Sequence, residues 1–335
     1  MTASLPELEV TELEVGARHS RIPGLNAMRA TSGFQRGMLL AGIVIVAFFF
    51  VVAVFAPLIA PYGFNDAKSG GVDFKTLQPP SSKHWFGTAV GGEDVFSQVV
   101  YGAQTALEVI VLAVALSIVV GVPLGLLSGY FGGRLDRVLV LVSDALFSFP
   151  SLLLAIVIDI SVSNGSSSKS GGIFAAAVAI TVVYVPQYFR VVRNATVAAR
   201  EEPYVEAARA LGASPFAIMT RYVFGNVVQT VPVIATLNAG DAILTLAGLG
   251  FLGFGIEPSS GAEWGAELSR AISDTAAGIW WTGTFPGLAI VLLVVGVTLV
   301  GESLNDVLNP LLRTTKLTHV VLPPRDTGVS MEKPA

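Results

Sequence analysis

The sequence predicts an all-α polytopic membrane protein: six transmembrane helices, with both termini on the cytoplasmic side (N-in/C-in). Three observations carry this. The 335 residues are 53% hydrophobic and only 13% charged, where soluble domains carry roughly 25% charged residues. The charges are segregated, leaving apolar runs of roughly 18 residues or more, the length that crosses a bilayer as a helix. These runs do not alternate, which excludes the ~10-residue alternating strands of a membrane β-barrel.

Taken in order, residues 1–37 read as a cytoplasmic N-terminal tail. It is acidic at Glu7, Glu9, Glu12 and Glu14, and no small-residue cleavage pattern follows a short apolar core, so it is not a secretory signal. The membrane-spanning core covers 38–313. Its first span is Met38 to Ala60, closed by Pro57 and Pro61, and a long polar outer segment, 61–103, follows. The second span runs from Leu107 to Leu127 and ends in the tight turn SGYFGGRLDR; the third is Val138 to Ile160. A flexible loop, SVSNGSSSKSGG, leads to the fourth span, Ile173 to Phe189. Residues 190–226 form the longest inner loop, and Val227 to Gly248 is the fifth span. A glycine-rich connector leads to the sixth, Gly283 to Val300, and 314–335 is a C-terminal tail on the cytoplasmic side.

Lys and Arg set the orientation, because cytoplasmic loops carry the excess. Fifteen of the 20 fall in the N-terminal tail, the 128–137 turn, the 190–226 loop and the residues that follow span six, Arg313 included, and five fall in the outer segments. Trp280 and Trp281 then sit at the outer mouth of span six, where an aromatic belt is expected.

Composition also excludes chemistry. With no cysteine, disulfides and thiolate catalysis are out. There is no Gly-Lys pair, hence no P-loop, and the chain is not its own ATPase. His19, His84 and His319 all lie outside the spans. No catalytic or metal site is expected, and no nucleic-acid partner.

The inner loop contains YVEAARALGASPFAIMTRY, Tyr204 to Tyr222. Pro203 suits the first position of a helix, and Gly212 suits the left-handed residue that ends one. Ser214 then caps a second helix and Pro215 opens it. Val205, Ala208 and Leu211 are expected on one face of the first helix, with Glu206 and Arg209 on another. Small residues there permit close approach, so the pair reads either as a packed loop or as a docking knob.

Glu206-Ala207-Ala208, three residues, then Gly212 resembles the EAA motif of ABC-importer permeases. In that family the loop forms coupling helices that insert into a groove of a cytoplasmic ATPase subunit. The family's pattern continues toward Leu-Pro-Asn, whereas here Phe224, Gly225 and Asn226 stand in those places. The departure bears on the kink ahead of span five, not on docking. HWFGTAVGGEDVFSQVVYGAQTAL, GLLSGYFGGRLDRVLVLVSDALFSFPSLLLAIV, GLGFLGFGIEP, EWGAEL and FPGLAIVLLVVGVTLVGESLNDVLNPLLR are similar to the dipeptide/oligopeptide/nickel group, of the DppC/OppC type. The resemblance covers Phe34 to Arg313.

It implies a type I ABC-importer permease fold with cytoplasmic coupling helices, multi-pass in the cell's inner or plasma membrane. It implies partners as well: a sister permease subunit, two cytoplasmic ATPase subunits or a fused one, and an external solute-binding protein. ATP and Mg would be bound by the ATPases, leaving no cofactor in this chain. The residues it assigns to ATPase coupling are Glu206, Ala207, Ala208, Leu211, Gly212, Ala213, Ser214 and Pro215. Di- and oligopeptides are the expected cargo, with nickel, haem or glutathione as alternatives. A stand-alone secondary transporter is the rival reading; it would leave the EAA-type loop unexplained.

Ionisable residues within spans are costly in lipid and therefore informative. Asn238 and Asp241, three apart in span five, are expected on one face. Asp241 reads either as a wall of the translocation path or as a partner for the sister subunit. Asp144, Asp159 and Glu108 read as capping or pairing residues. Asp306 and Arg313 are expected beside the coupling loop. Gly121 and Gly125 predict close packing of span two, and Gly248, Gly250, Gly253 and Gly255 predict a re-entrant element.

Overall fold

The computed structural model describes residues 33–70, 72–163 and 168–308. Among them, five helices are long and apolar enough to cross a membrane, or six if one sharply bent pair counts as a span. The expectations for residues 1–32, for the C-terminal tail and for Arg313 lie outside these residues, and the Asp306 side chain is likewise not described; residues 33–37, placed in the tail by the sequence, are already helical.

Helix α1, Gly33–Val54, breaks at Phe55 into a short α2, Ala56–Ile59. A folded segment follows, with a two-residue hairpin of β1, Lys68–Ser69, and β2, Val72–Asp73. Asp94 then caps α3, Val95–Phe131, accepting from the Ser97 N–H at 2.8 Å. This helix starts 12 residues before the predicted span. Its first turns are amphipathic, and hydropathy marks only the part that is apolar all round.

The third span departs from the sequence reading. Val138 to Ile160 is not one straight helix but two, α4, Gly133–Ser148, and α5, Ser151–Ser163, bent by 101°. Pro150 is the cause. It lacks an N–H and excludes the helical region for its predecessor, and Phe149 is accordingly extended at φ −82 and ψ 139.

Helix α6, Lys169–Arg200, is the central element. It lies against α3 along three glycines one turn apart. A Cβ at Gly121 would sit 2.6 Å from Cβ of Tyr188; at Gly125, 2.8 Å from that of Val192; at Gly129, 2.6 Å from that of Thr196. The glycine spacing therefore serves packing within the chain. The Thr181 hydroxyl adds bonds to the carbonyls of Ala113, at 3.2 Å, and Ala177, at 2.7 Å.

Beyond α6 come α7, Pro203–Ala210, and a continuous helical run. The run comprises α8, Pro215–Ala217, a π segment, Ile218–Val223, α9, Phe224–Val227, a 3-10 turn, Val228–Thr230, and α10, Val231–Phe251. The predicted fifth span is thus the end of one 37-residue rod, Pro215–Phe251. Instead of a proline kink the rod changes pitch through its π and 3-10 segments. Helix α11, Trp264–Ala276, packs against α10, and α12, Trp281–Leu308, closes the bundle.

The 61–94 segment seals the end of the bundle where α3 and α12 begin. His84 Nδ1 lies 2.9 Å from Asp94 Oδ1, and the Phe86 ring stacks on Phe285 at 3.9 Å. Trp281 corrects the expected aromatic belt. Trp280 is exposed, but Trp281 is buried and donates its indole N–H to the Thr88 carbonyl at 3.2 Å.

Candidate functional site

Two features stand out, a protruding turn after α7 and a polar cleft beside α10. The rod that begins at Pro215 joins them.

The turn follows from capping chemistry. Gly212 has φ +81, a conformation that costs a residue with a Cβ. The Ala213 N–H reaches the Ala208 carbonyl and the Gly212 N–H the Arg209 carbonyl, each at 3.0 Å. This pair of bonds is a Schellman motif. The Ser214 hydroxyl then accepts from the Ala217 N–H at 3.3 Å, and Pro215 begins the rod.

The turn presents Glu206, Ala207, Leu211, Gly212, Ser214 and Pro215 to the outside, with Ala213 half-buried. Leu211 is 89% exposed and Phe216 71%. Val205 and Ala208 face inward, packed with Leu126, Val192, Ile218 and Val223. The sequence had placed Leu211 on their face, and it is not there: two three-residue steps from Val205 rotate its side chain by roughly 120°, and it sits as the cap at the helix's exposed end.

The knob is braced by contacts that the sequence reading did not foresee, three of them through Arg193, Arg200 and Asp136, which it had not singled out. Arg200 donates to the Gly129 carbonyl at 2.9 Å, and the Arg209 guanidinium lies 5.9 Å from the centre of the Tyr130 ring. Arg193 forms a two-pronged pair with Asp136, at 2.5 and 2.7 Å. Asn226 donates to the Tyr204 hydroxyl at 2.6 Å and to the Tyr222 carbonyl at 3.2 Å. A charge retained at the end of an apolar run was the available signal for Asp136 and Arg193.

The cleft, of about 300 Å³, lies between the α4–α5 bend, α6 and α10. Tyr184, Gln187, Thr245 and Asp241 give it polar walls. The Tyr184 and Thr245 hydroxyls are 3.2 Å apart. Asn238 does not join Asp241 there. It is buried, and its amide faces the Tyr188 hydroxyl. A three-residue step turns the side chain by roughly 60°, enough to move it from the cleft to the interior.

The other three carboxylates that the sequence singled out in or near the spans have local partners. Asp144 pairs with Arg190 at 2.6 Å, Glu108 approaches Lys169 at 3.7 Å, and Asp159 accepts from the Gly255 N–H at 2.9 Å. At the end away from the knob, Glu263 caps α11 through the Gly265 and Ala266 N–H groups, at 2.9 and 2.8 Å. Glu267 sits a turn later, near Arg270 at 3.7 Å. Burial pushes the Glu263 and Glu267 carboxyls up to about 7. For Glu263 the two backbone donors oppose the shift; for Glu267, Arg270 opposes it and Glu93 adds to it.

The sequence matches the family described as binding-protein-dependent transport system inner membrane component over residues 121–314. Residues 34–80 match the N-terminal transmembrane domain of oligopeptide transport permease C. The chain is 36% identical over 277 residues to the dipeptide transport system permease protein DppC of Alkalihalophilus pseudofirmus, covering 82% of this chain and 86% of that protein. It is 35% identical over 268 residues to the probable D,D-dipeptide transport system permease protein DdpC of Escherichia coli, covering 80% and 85%. Identity to the glutathione transport system permease protein GsiD of Escherichia coli is 36% over 277 residues, covering 82% and 87%.

Proposed function

Because the chain belongs to the family of binding-protein-dependent transport system inner membrane components, as an ABC permease of the DppC/OppC type, we propose that it forms half of the pore of an ATP-driven importer for short peptides. Its relatives are permease subunits, and it is a transport subunit of the inner membrane rather than an enzyme. The other half of the pore is a sister permease. ATP and Mg reside in two ATPase domains, separate or fused, and an external binding protein delivers the cargo. Six spans, N-in and C-in, put the knob in the cytoplasm. The domain bounds that go with this are a tail over 1–37, the permease over 38–313 and a tail over 314–335.

The observation that carries this reading is the rod Pro215–Phe251, which has the exposed turn at one end and Asp241 of the cleft along its length. A push at Leu211 to Phe216 has a stiff path to the cleft wall. ATP closes the ATPases, the knobs of the two permeases approach, and the cleft changes the side to which it opens. Such a switch needs contacts that differ between its two states. A knob seated in a groove supplies them, with Glu206, Ala207, Leu211, Gly212, Ser214 and Pro215 at the contact and Ala208 and Ala213 holding its shape. Asp241 lines the path, and Asn238 backs it from the interior.

Dipeptide, D,D-dipeptide and glutathione are the cargoes in the relatives' names. All three carry a primary amino group, so we assign this chain a short peptide with a free amino terminus. The glutathione relative favours one second reading, a γ-linked tripeptide. Reconstitution with the sister permease, the ATPases and the binding protein, followed by ATP-driven uptake of labelled dialanine and glutathione, tests the assignment. Uptake of neither overturns it.

A further inference from the structure

We propose a second cargo subsite in the cavity between the end of α5 and the glycine turn after α10, where the free oxygen of Asp159 receives a primary ammonium. The proposal rests on the reading of the cargo as a peptide with a free amino terminus.

Asp159 is 3% exposed, and its two oxygens differ. Oδ2 accepts from the Gly255 N–H at 2.9 Å and staples the turn to α5. Oδ1 is buried without a partner. A buried carboxylate oxygen left unpaired is costly, and a charged donor offsets that cost best. The carboxylate lines a cavity of about 370 Å³, many times the ~30 Å³ of a water molecule.

The lining chemistry selects a cation. Among the described residues, Glu257 is the only other charged one on the wall, and none of the lining residues is basic. Lys169, whose stem lies beside Gly261 of the same connector, holds its ammonium toward Glu108 and Gln104 instead, at 3.7 and 3.4 Å. The turn keeps the space open: Gly253 has φ +84, and a Cβ there would meet nothing within 4 Å. An ammonium brings three donors, one for Oδ1 and two for carbonyls or water. The subsite is distinct from the Asp241 cleft, which lies about 14 Å away along α10 at 1.5 Å per residue. It sits at the end away from the knob, where cargo arrives.

The chain contains no cysteine, so Ser163→Cys at the cavity wall gives it a single thiol in the assembled transporter. The measurement is its labelling rate by cationic trimethylammonium-ethyl and anionic sulfonatoethyl methanethiosulfonates. The cationic reagent should react about tenfold faster, and Asp159→Asn should bring the two rates together while keeping an acceptor for Gly255. With Asp159 intact, millimolar dialanine should slow the cationic reagent and N-acetyl-dialanine should not. A rate ratio unmoved by Asp159→Asn overturns the proposal. Equal protection by both peptides also overturns it, and that arm needs no change at Asp159. If the transporter takes up no peptide yet the charge preference and selective protection hold, the cargo reading fails and the subsite stands. If uptake is normal but the selectivity is absent, the subsite fails alone.

Discussion

The side-chain amide of Asn226 donates to the Tyr204 hydroxyl at 2.6 Å. That bond closes the knob on itself, joining the first turn of α7 to the rod before it enters the bundle. Asn226 is also the one residue of the family's Leu-Pro-Asn pattern kept here, so a structural clamp stands where the proline is missing. Tyr204→Phe removes the acceptor without changing the ring. A neutral hydrogen bond of this kind contributes about 1 kcal/mol, or about a fivefold change in the fraction of knobs held in shape. Uptake per ATP hydrolysed should fall by up to that factor, with unchanged amounts of assembled complex.

Gly212 is needed for its backbone and not for lack of space. Its φ is +81, and a Cβ there would meet nothing within 4 Å. Left-handed geometry costs ordinary residues roughly 1–2 kcal/mol, and asparagine less. Coupled ATPase activity should therefore rank Gly, then Asn, then Ala, then Val at this position. An Ala variant as active as the wild type contradicts the turn's role.

Gly125 and Gly225 make a matched pair. A Cβ at Gly125 would lie 2.8 Å from both the Phe189 carbonyl oxygen and the Val192 Cβ, whereas at Gly225 it would meet nothing. Gly125→Leu forces α3 from α6 and should destabilise by about 1–3 kcal/mol or more, lowering the Tm of the purified complex. Gly225→Leu should leave Tm nearly unchanged.

Glu263 and Glu267 give the fold a pH dependence of known sign. Their carboxyls are raised to about 7 in the folded chain from 4.5. The folded state thus holds protons that the unfolded state has released. Stability is greatest below 4.5 and is lost as pH rises through about 7. Thermal unfolding of the complex should show Tm falling from pH 5 to pH 8, and Glu267→Gln should flatten that slope.

The sequence made the apolar spans legible because length and hydrophobicity are sufficient for them. The knob was legible too: proline, glycine and serine at fixed offsets specify its caps, and Gly212 and Ser214 adopt those roles. Less legible were features that depend on what lies opposite. The inward turn of Asn238 and the outward turn of Leu211 are decided by rotations about a helix axis. The bend at Phe149-Pro150 has a local cause, but its 101° emerges only from packing α5 on α6. Trp281 is an aromatic at a span's edge like Trp280, and only the Thr88 carbonyl from a segment 193 residues away distinguishes them. The buried pair Glu263 and Glu267 escaped notice for the same reason, since nothing in EWGAEL announces burial.

The central claim is that the exposed turn transmits ATPase motion to the cleft. The most direct measurement compares wild type with Glu206→Lys and Gly212→Trp in proteoliposomes containing the full complex, reading dipeptide uptake and binding-protein-stimulated ATP hydrolysis together. The account predicts that both variants assemble in the membrane but lose uptake and stimulation together. Normal uptake by both variants, or uptake by wild type without any ATPase subunit, would contradict it.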